Sequence, residues 1–113
     1  MFNFFKKKKE EKKPVNYIGA DMKYGMSIIK SGKDVVIIDA RSKEEYDKSH
    51  IKNSINIPIE EKEKIQEILK DKEQTILVYS MSGERSKELA AYMAIDGFVN
   101  VIDIGKYSEY TGE

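Results

Sequence analysis

The stretch Thr75-Ile-Leu-Val-Tyr79-Ser80-Met-Ser-Gly83-Glu-Arg85-Ser86 decides the fold, because an apolar run passes directly into a Ser/Gly loop and then into a helical pattern. Such a sequence predicts a buried strand, a tight loop and a helix. The loop amides and the positive end of the helix would then point at one spot, which favours an anion. Arg85 adds a planar, forked cation. The chemistry of this predicted oxyanion pocket depends on Ser80, the first loop position.

The rest of the chain repeats the alternation of strand and helix. Apolar runs predict strands at residues 15–18, 35–38 and 98–104, in addition to residues 75–79. Helical patterns cover residues 60–70, where Ile65, Ile68 and Leu69 form a stripe predicted to face the core, and residues 86–96. An earlier helix follows residue 19 with Met22, Met26 and Ile29 on one face. We therefore expect an α/β fold with a central parallel sheet, right-handed crossovers and helices on both faces. The loops that follow the strands would lie together at the carboxyl edge of the sheet.

Charge divides the 113 residues into a short lead and one domain. The 20 basic and 20 acidic residues give a formal net charge of zero, which argues against a general nucleic-acid partner. Residues 1–13 form a Lys-rich lead, and residues 14–113 form the predicted domain. Three phenylalanines beside the lysines suit weak contact with an anionic membrane surface, but a frayed terminus or a dimer contact is favoured because the apolar stretch is so short.

The composition also limits the kinds of site. The chain has no Cys, so a disulfide or a thiolate metal site is unavailable, and we expect neither a metal nor a cofactor. No apolar run approaches the roughly 20 residues of a membrane-spanning helix. We expect a cytoplasmic protein.

A second group of candidate residues follows the strand at residues 35–38. Asp39 and Arg41 come directly after it, where α/β sheets usually carry their sites. Arg41 and Arg85 are the only arginines in the chain, beside 18 lysines, and both are predicted at strand ends. Arg41 either contacts the substrate or pairs with Asp39 or Glu45 to hold the loop. We interpret it as a residue that holds the loop and does not contact the substrate directly. Ser42 and Glu45 form a capping box for a short helix.

These motifs resemble those of rhodanese-type sulfurtransferases over roughly residues 15–110. The family loop Cys-x-x-Gly-x-Arg-Ser is similar to residues 80–86, with Ser80 in place of Cys. A second family pattern, Asp-x-Arg…Glu-Tyr…Gly-His-Ile…Ala-Ile-Asn-Ile-Pro, is similar to residues 39–58, with Ser49 for Gly and Ser54 for Ala. The family's closing Gly-Gly-x-x-x-Trp corresponds to residues 105–110, where Lys106 and Tyr110 depart from it.

The resemblance implies a sheet of about five strands and a loop that carries sulfur. In the family, the loop thiolate takes a sulfane sulfur from thiosulfate or a similar donor, becomes a persulfide and passes the sulfur to a nucleophile such as cyanide or a thiol. The expected partner is a small sulfur-containing anion or a persulfide donor protein. The residues transferred by the resemblance are Ser80 and Arg85 for catalysis, and Met81, Ser82, Gly83, Glu84 and Ser86 for substrate binding. His50 is implied to be structural.

Ser80 places that activity in doubt, because oxygen cannot carry a stable persulfide and a serine hydroxyl stays protonated at neutral pH. The chain as written should therefore lack sulfurtransferase turnover. Either Ser80 was introduced in place of Cys, or the natural protein has lost the nucleophile. Phosphatase chemistry is disfavoured, because related phosphatase loops place five residues between nucleophile and Arg and this loop places four. The alternative function is a non-catalytic module that binds an oxyanion or a partner protein.

Overall fold

The computed structural model describes residues 16–112, so the predicted lead at residues 1–13, with its membrane contact, lies outside the described residues. The strands are β1 Ile18–Gly19, β2 Val36–Asp39, β3 Ile55–Asn56, β4 Ile76–Ser80 and β5 Val101–Lys106. The α-helices are α1 Met22–Lys30, α2 Lys43–Lys48, α3 Ile65–Ile68 and α4 Glu84–Ile95. Within the described residues, two 3₁₀ helices cover Ile59–Lys64 and Tyr107–Glu109. In residues 16–112 no helix has the length and apolar character needed to cross a bilayer.

The five strands form one parallel sheet in the order β1-β5-β4-β2-β3. This arrangement confirms the α/β fold with a central parallel sheet. The most fully buried strand is β4, all five of whose residues are buried between β2 and β5. Because the strands are parallel, the chain leaves β2 and β4 at the same edge of the sheet, which is where the candidate residues follow.

Helices cover both faces of the sheet, so the core has two halves. On one face, α4 and the segment from the first 3₁₀ helix into α3 pack against the sheet through Ile59, Ile65, Leu89, Ala90 and Met93. On the other face, α1 packs through Met22 and Met26 onto Ile37, Leu77, Ile102 and Ile104. Each sheet residue that points to one half is followed by a residue that points to the other, as the period of a strand requires.

The helix predicted for residues 60–70 differs from the structure. Its first part is the 3₁₀ helix Ile59–Lys64, which has a non-helical residue at Glu61, and only Ile65–Ile68 is α-helical. Of the predicted apolar stripe, Ile65 is fully buried, but Ile68 is 45% exposed. The prediction that the whole stripe belongs to the core was wrong for Ile68, because the α-helix has only four residues and the chain is already extended at Leu69, so no continuous helical face forms.

Predicted and observed strand boundaries differ by one to three residues. The first strand begins at Ile18 and the last begins at Val101, later than the patterns predicted. The last strand also continues to Lys106, because its residues beyond Ile104 pair with the end of β4. A bulge between Val78 and Tyr79 in this pairing leaves Ile104 without a partner and sets Ser80 opposite Lys106. The bulge therefore shapes the edge of the sheet where the loop begins.

Gly25 lies where α1 crosses β5 at close range. A Cβ atom on this residue would come within 2.6 Å of the Cδ1 of Ile104 and 2.8 Å of its Cγ2. The sequence alone predicts only that Gly25 weakens its helix, because glycine has a low helix propensity. In the structure, the missing side chain allows the helix to approach the sheet.

Candidate functional site

Ser80 ends β4 and has no exposed surface. Its Oγ accepts a hydrogen bond from the backbone N–H of Ser86 at 3.0 Å and donates one to the Ser86 Oγ at 3.2 Å. The two ends of the loop are thus joined through the Ser80 side chain. Ser80 therefore lies at the base of the loop and faces the first turn of α4.

Gly83 allows the chain to turn into α4. It has a φ of 96°, in the left-handed region that favours glycine, and it precedes the first helical residue Glu84. The first amides of an α-helix have no acceptor within the helix. The amide of Ser86 is one of these, and it is satisfied by Ser80. The predicted strand, tight loop and helix are therefore present, with the helix beginning at Glu84 rather than at Ser86.

Arg85 is paired with a carboxylate from another part of the chain. Its Nη1 donates to Glu45 Oε1 at 2.8 Å and its Nη2 donates to Oε2 at 3.2 Å. The same carboxylate accepts the backbone N–H of Ser42, which completes the predicted capping box at the start of α2. Hydrogen bonding to Arg85, together with the bonds from Ser42, lowers the pKa of Glu45 from 4.5 to about 2. Glu45 is therefore charged at neutral pH and holds the loop cation.

Asp39 and Arg41 form a second pair behind the loops. The Arg41 Nη2 lies 2.7 Å from Asp39 Oδ2, and the two side chains are only 2% and 0% exposed. Arg41 also donates to the carbonyl oxygen of Ser49 at 2.6 Å, and its guanidinium lies 4.1 Å from the centre of the Tyr107 ring. The sequence left open whether Arg41 contacts the substrate or pairs with Asp39 or Glu45, and in the structure Arg41 pairs with Asp39. Arg41 holds together the segments that surround the site.

The remaining loop residues lie at the surface. Met81, Ser82 and Glu84 are exposed, while Gly83 is partly buried. The carbonyl oxygen of Met81 accepts the backbone N–H of Ser108 at 3.4 Å, which ties the loop to the second 3₁₀ helix. Cavities of about 310, 480 and 520 Å³ open elsewhere on the surface, and none of these three is lined by residues 80–86.

Asp103 is the residue of the site that sequence reasoning missed. It lies on β5, is only partly exposed, and accepts hydrogen bonds from the Ser86 Oγ at 2.8 Å and from the Gly105 amide at 3.0 Å. Burial raises its pKa, while the bonds from Ser86 and Gly105 act in the opposite direction. The available signal was a single carboxylate within a mostly apolar predicted strand, residues 98–104.

His50 lies apart from the loop. Its Nδ1 is 2.7 Å from the carbonyl oxygen of Tyr46, and its ring stacks on the Tyr46 ring with centroids 3.7 Å apart. These contacts fit the structural role that the sequence indicated. No contact in the described part of the chain makes this imidazole a base for residue 80.

The resemblance indicated two features that the structure contains: the loop between β4 and α4, and the pair of Asp39 and Arg41 at the end of β2. A comparison with known families gives the same family. Residues 25–111 match the family Rhodanese, described as the rhodanese-like domain. The chain belongs to this family. In this rhodanese-like domain the matched residues include the loop, the pair of Asp39 and Arg41, and Asp103, so the whole candidate site lies within the family match.

Two curated relatives of the rhodanese-like domain carry sulfur chemistry in their names. The thiosulfate sulfurtransferase PspE of Escherichia coli (strain K12) is 35% identical over 69 residues, which are 60% of this chain and 66% of the relative. The tRNA sulfurtransferase of Thermoplasma acidophilum is 41% identical over 61 residues, 54% of this chain and 12% of the relative. The chain thus spans just under two thirds of the first relative and about an eighth of the second.

A solved structure supports the same fold. It is described as rhodanese with anions from E. coli and matches with a TM-score of 0.64 and 30% sequence identity. The match covers 69% of this chain and 93% of the solved one. The roles of the individual loop residues and of Asp39 and Arg41 stay predictions.

Proposed function

We propose that this chain is a rhodanese-like domain of the sulfurtransferase type whose loop cannot carry sulfur because Ser80 stands at the nucleophile position. The observation that carries the proposal is the backbone N–H of Ser86, in the first turn of α4, which donates to the Ser80 Oγ at 3.0 Å. A side chain at position 80 meets a helix N-terminus and a directed N–H donor. That environment lowers the pKa of a thiol and suits a thiolate nucleophile.

With a thiolate at position 80, the reaction would proceed in two balanced steps. The thiolate attacks the outer sulfur of thiosulfate, a new S–S bond forms, the S–S bond of thiosulfate breaks and sulfite leaves with the electron pair. The terminal sulfur of the persulfide is then taken by cyanide or a thiolate, and the loop thiolate is regenerated. Each step needs a polarisable, ionised sulfur at position 80. The Ser80 hydroxyl supplies neither the charge nor a stable S–S bond.

The proposed substrate is a small sulfur-containing anion, or a persulfide carried by a donor protein, and we expect the protein to act in the cytoplasm. Support comes from the loop geometry, from a relative named as a thiosulfate sulfurtransferase and from a solved relative described with anions. Met81, Ser82, Gly83 and Glu84 would supply loop amides to the donor, and Arg85 would supply charge when it is released from Glu45. Asp39 and Arg41 would hold the surrounding segments.

The Ser80→Cys variant tests this proposal. It should gain the mass of one sulfur atom when treated with thiosulfate and should then form thiocyanate from cyanide. Ser80→Ala, which has no nucleophile, is the matched control and should do neither. A folded Ser80→Cys protein that forms no persulfide with any common donor would contradict the enzyme interpretation. The codon for residue 80 in the encoding gene distinguishes an introduced serine from a natural one.

A second candidate is a non-catalytic module that binds an oxyanion or an acidic group of a partner protein. Two observations favour it: Ser80 has no exposed surface, and Arg85 is held by Glu45. A module of this kind needs the loop amides at the surface but no nucleophile. It predicts anion binding by the unaltered chain and no sulfur transfer by Ser80→Cys.

A further inference from the structure

A chain of hydrogen bonds leads from residue 80 to a carboxylate on the neighbouring strand. The Ser80 Oγ lies 3.2 Å from the Ser86 Oγ, which lies 2.8 Å from Asp103 Oδ1. The Ser86 Oγ is also 3.2 Å from the carbonyl oxygen of Gly83. The Ser86 hydroxyl therefore has two acceptors and Ser80 around it, but it has only one proton to donate.

The short contact with Asp103 decides where that proton points. A hydrogen bond from a hydroxyl to a carboxylate is roughly twice as strong as one between neutral groups. Ser86 therefore donates to Asp103, and its lone pair faces residue 80. Ser80 fits this arrangement, because its own hydroxyl donates to Ser86 while its oxygen accepts the Ser86 amide.

We propose that Asp103 is a positioning residue for position 80. By accepting the proton of the Ser86 hydroxyl, it turns the Ser86 lone pair towards position 80, and this arrangement favours the protonated form of the side chain there over the anionic form. This inference rests on the proposed function, because it concerns how readily a nucleophile at position 80 ionises. An anion at position 80 would meet the Ser86 amide as a donor but would face the lone pair of the Ser86 hydroxyl. It would also lie near the Asp103 charge. The pair thus opposes the effect of the helix end.

The charged groups around this pair come from the helix, the loop and the neighbouring strand. Lys87 on α4 interacts favourably with the Asp103 charge. Lys106 on β5 is the register partner of Ser80, with its Cγ 3.7 Å from where a Cβ on Gly83 would lie. From the loop, Arg85 is held by Glu45, and Glu84 is exposed. None of these changes the direction of the Ser86 hydroxyl, which the 2.8 Å bond to Asp103 sets.

The test measures thiol ionisation in Ser80→Cys by following the rate of iodoacetamide alkylation against pH. Adding Asp103→Asn should lower the apparent thiol pKa by about one unit or more, because an uncharged carboxamide can donate to Ser86 and free its hydroxyl proton for the thiolate. Asp34→Asn, in the turn before β2 at the opposite end of the sheet, is the matched control and should leave the thiol pKa unchanged. This readout does not depend on persulfide formation, so it is separate from the test of the proposed function.

Ser86→Ala in the Ser80→Cys protein provides a second measurement, and its effect on the thiol pKa can be read without any Asp103 variant. If the Ser86 hydroxyl is committed to Asp103, its removal should not raise the thiol pKa, and Asp103→Asn should then have less than half of its effect. A higher thiol pKa in Ser86→Ala would overturn the inference. The inference would also be overturned if Asp103→Asn left the thiol pKa unchanged, or if it lowered the thiol pKa by the same amount in the Ser86→Ala background. Persistence in full would mean that the carboxylate acts through space alone.

Discussion

Arg85 donates to both carboxylate oxygens of Glu45, a residue 40 positions earlier in the chain, at 2.8 and 3.2 Å. Glu45 caps the start of α2, so this bidentate pair ties the loop after β4 to the segment after β2. The cation expected to face an incoming anion is therefore already satisfied by the protein. Access to Arg85 requires that the anion compete with Glu45.

The pair makes stability depend on pH in the acidic range. The pKa of Glu45 is lowered from 4.5 to about 2, so the carboxylate stabilises the folded state fully above about pH 4.5 and loses this contribution as the pH falls towards 2. Both side chains are about one third exposed, so we expect only about 1 kcal/mol after solvent screening. Urea unfolding measures the free energy of unfolding at pH 7 and at pH 3. The decrease from pH 7 to pH 3 should be smaller for Glu45→Gln than for the unaltered chain. Glu44→Gln, on the same helix, should behave as the unaltered chain does.

Competition between Glu45 and an anion gives a prediction for ligand binding. Sulfate or thiosulfate should raise the melting temperature weakly in the unaltered chain, because a ligand that binds the native state stabilises it by mass action. Glu45→Gln should enlarge this shift by releasing Arg85, and Arg85→Ala should abolish it. Thermal unfolding against anion concentration measures the effect. Equal shifts in all three proteins would indicate general salt exclusion and would remove the binding site from the proposal.

The buried pair of Asp39 and Arg41 should matter more for stability than for binding. Arg41→Ala leaves the Asp39 carboxylate buried without its partner, which costs roughly 3–5 kcal/mol. Lys43→Ala removes a pair with Asp47 whose side chains are 75% and 57% exposed, and this change should cost less than about 1 kcal/mol. Denaturant unfolding compares the two variants. A loss for Arg41→Ala no larger than that for Lys43→Ala would contradict the role assigned to Arg41.

Gly25 gives a prediction whose sign differs between sequence and structure. Helix propensity alone predicts that Gly25→Ala stabilises α1 by about 1 kcal/mol. The contacts of 2.6 and 2.8 Å with Ile104 predict instead a net loss of about 1–3 kcal/mol from overpacking. Ile104→Ala should relieve this clash, so the double variant should cost less than the sum of the single ones. Additive costs in the unfolding free energies would show that the two residues do not interfere.

The sequence alone determined the fold class and the position of the loop. The apolar run before Ser80, the glycine at position 83 and the apolar face of α1 are local signals, and strand and helix periods follow from backbone geometry. The capping box of Ser42 and Glu45 was equally readable, because its partners lie three residues apart. The 3₁₀ start of the helix predicted for residues 60–70 was not readable, since charged residues at its surface fit either helix type.

Only the tertiary structure decided which side chains meet at the loop. Glu45 and Arg85 are 40 residues apart, and Ser86 and Asp103 are 17 apart, so no local pattern links them. Parallel pairing of β2, β4 and β5 brings the ends of these strands to one edge, and the bulge after Val78 sets the register there. Distances of about 3 Å between charged and hydroxyl groups then determine which proton points where. Those distances depend on strand register and on packing between segments that are far apart in sequence, so they are set only when the sheet forms.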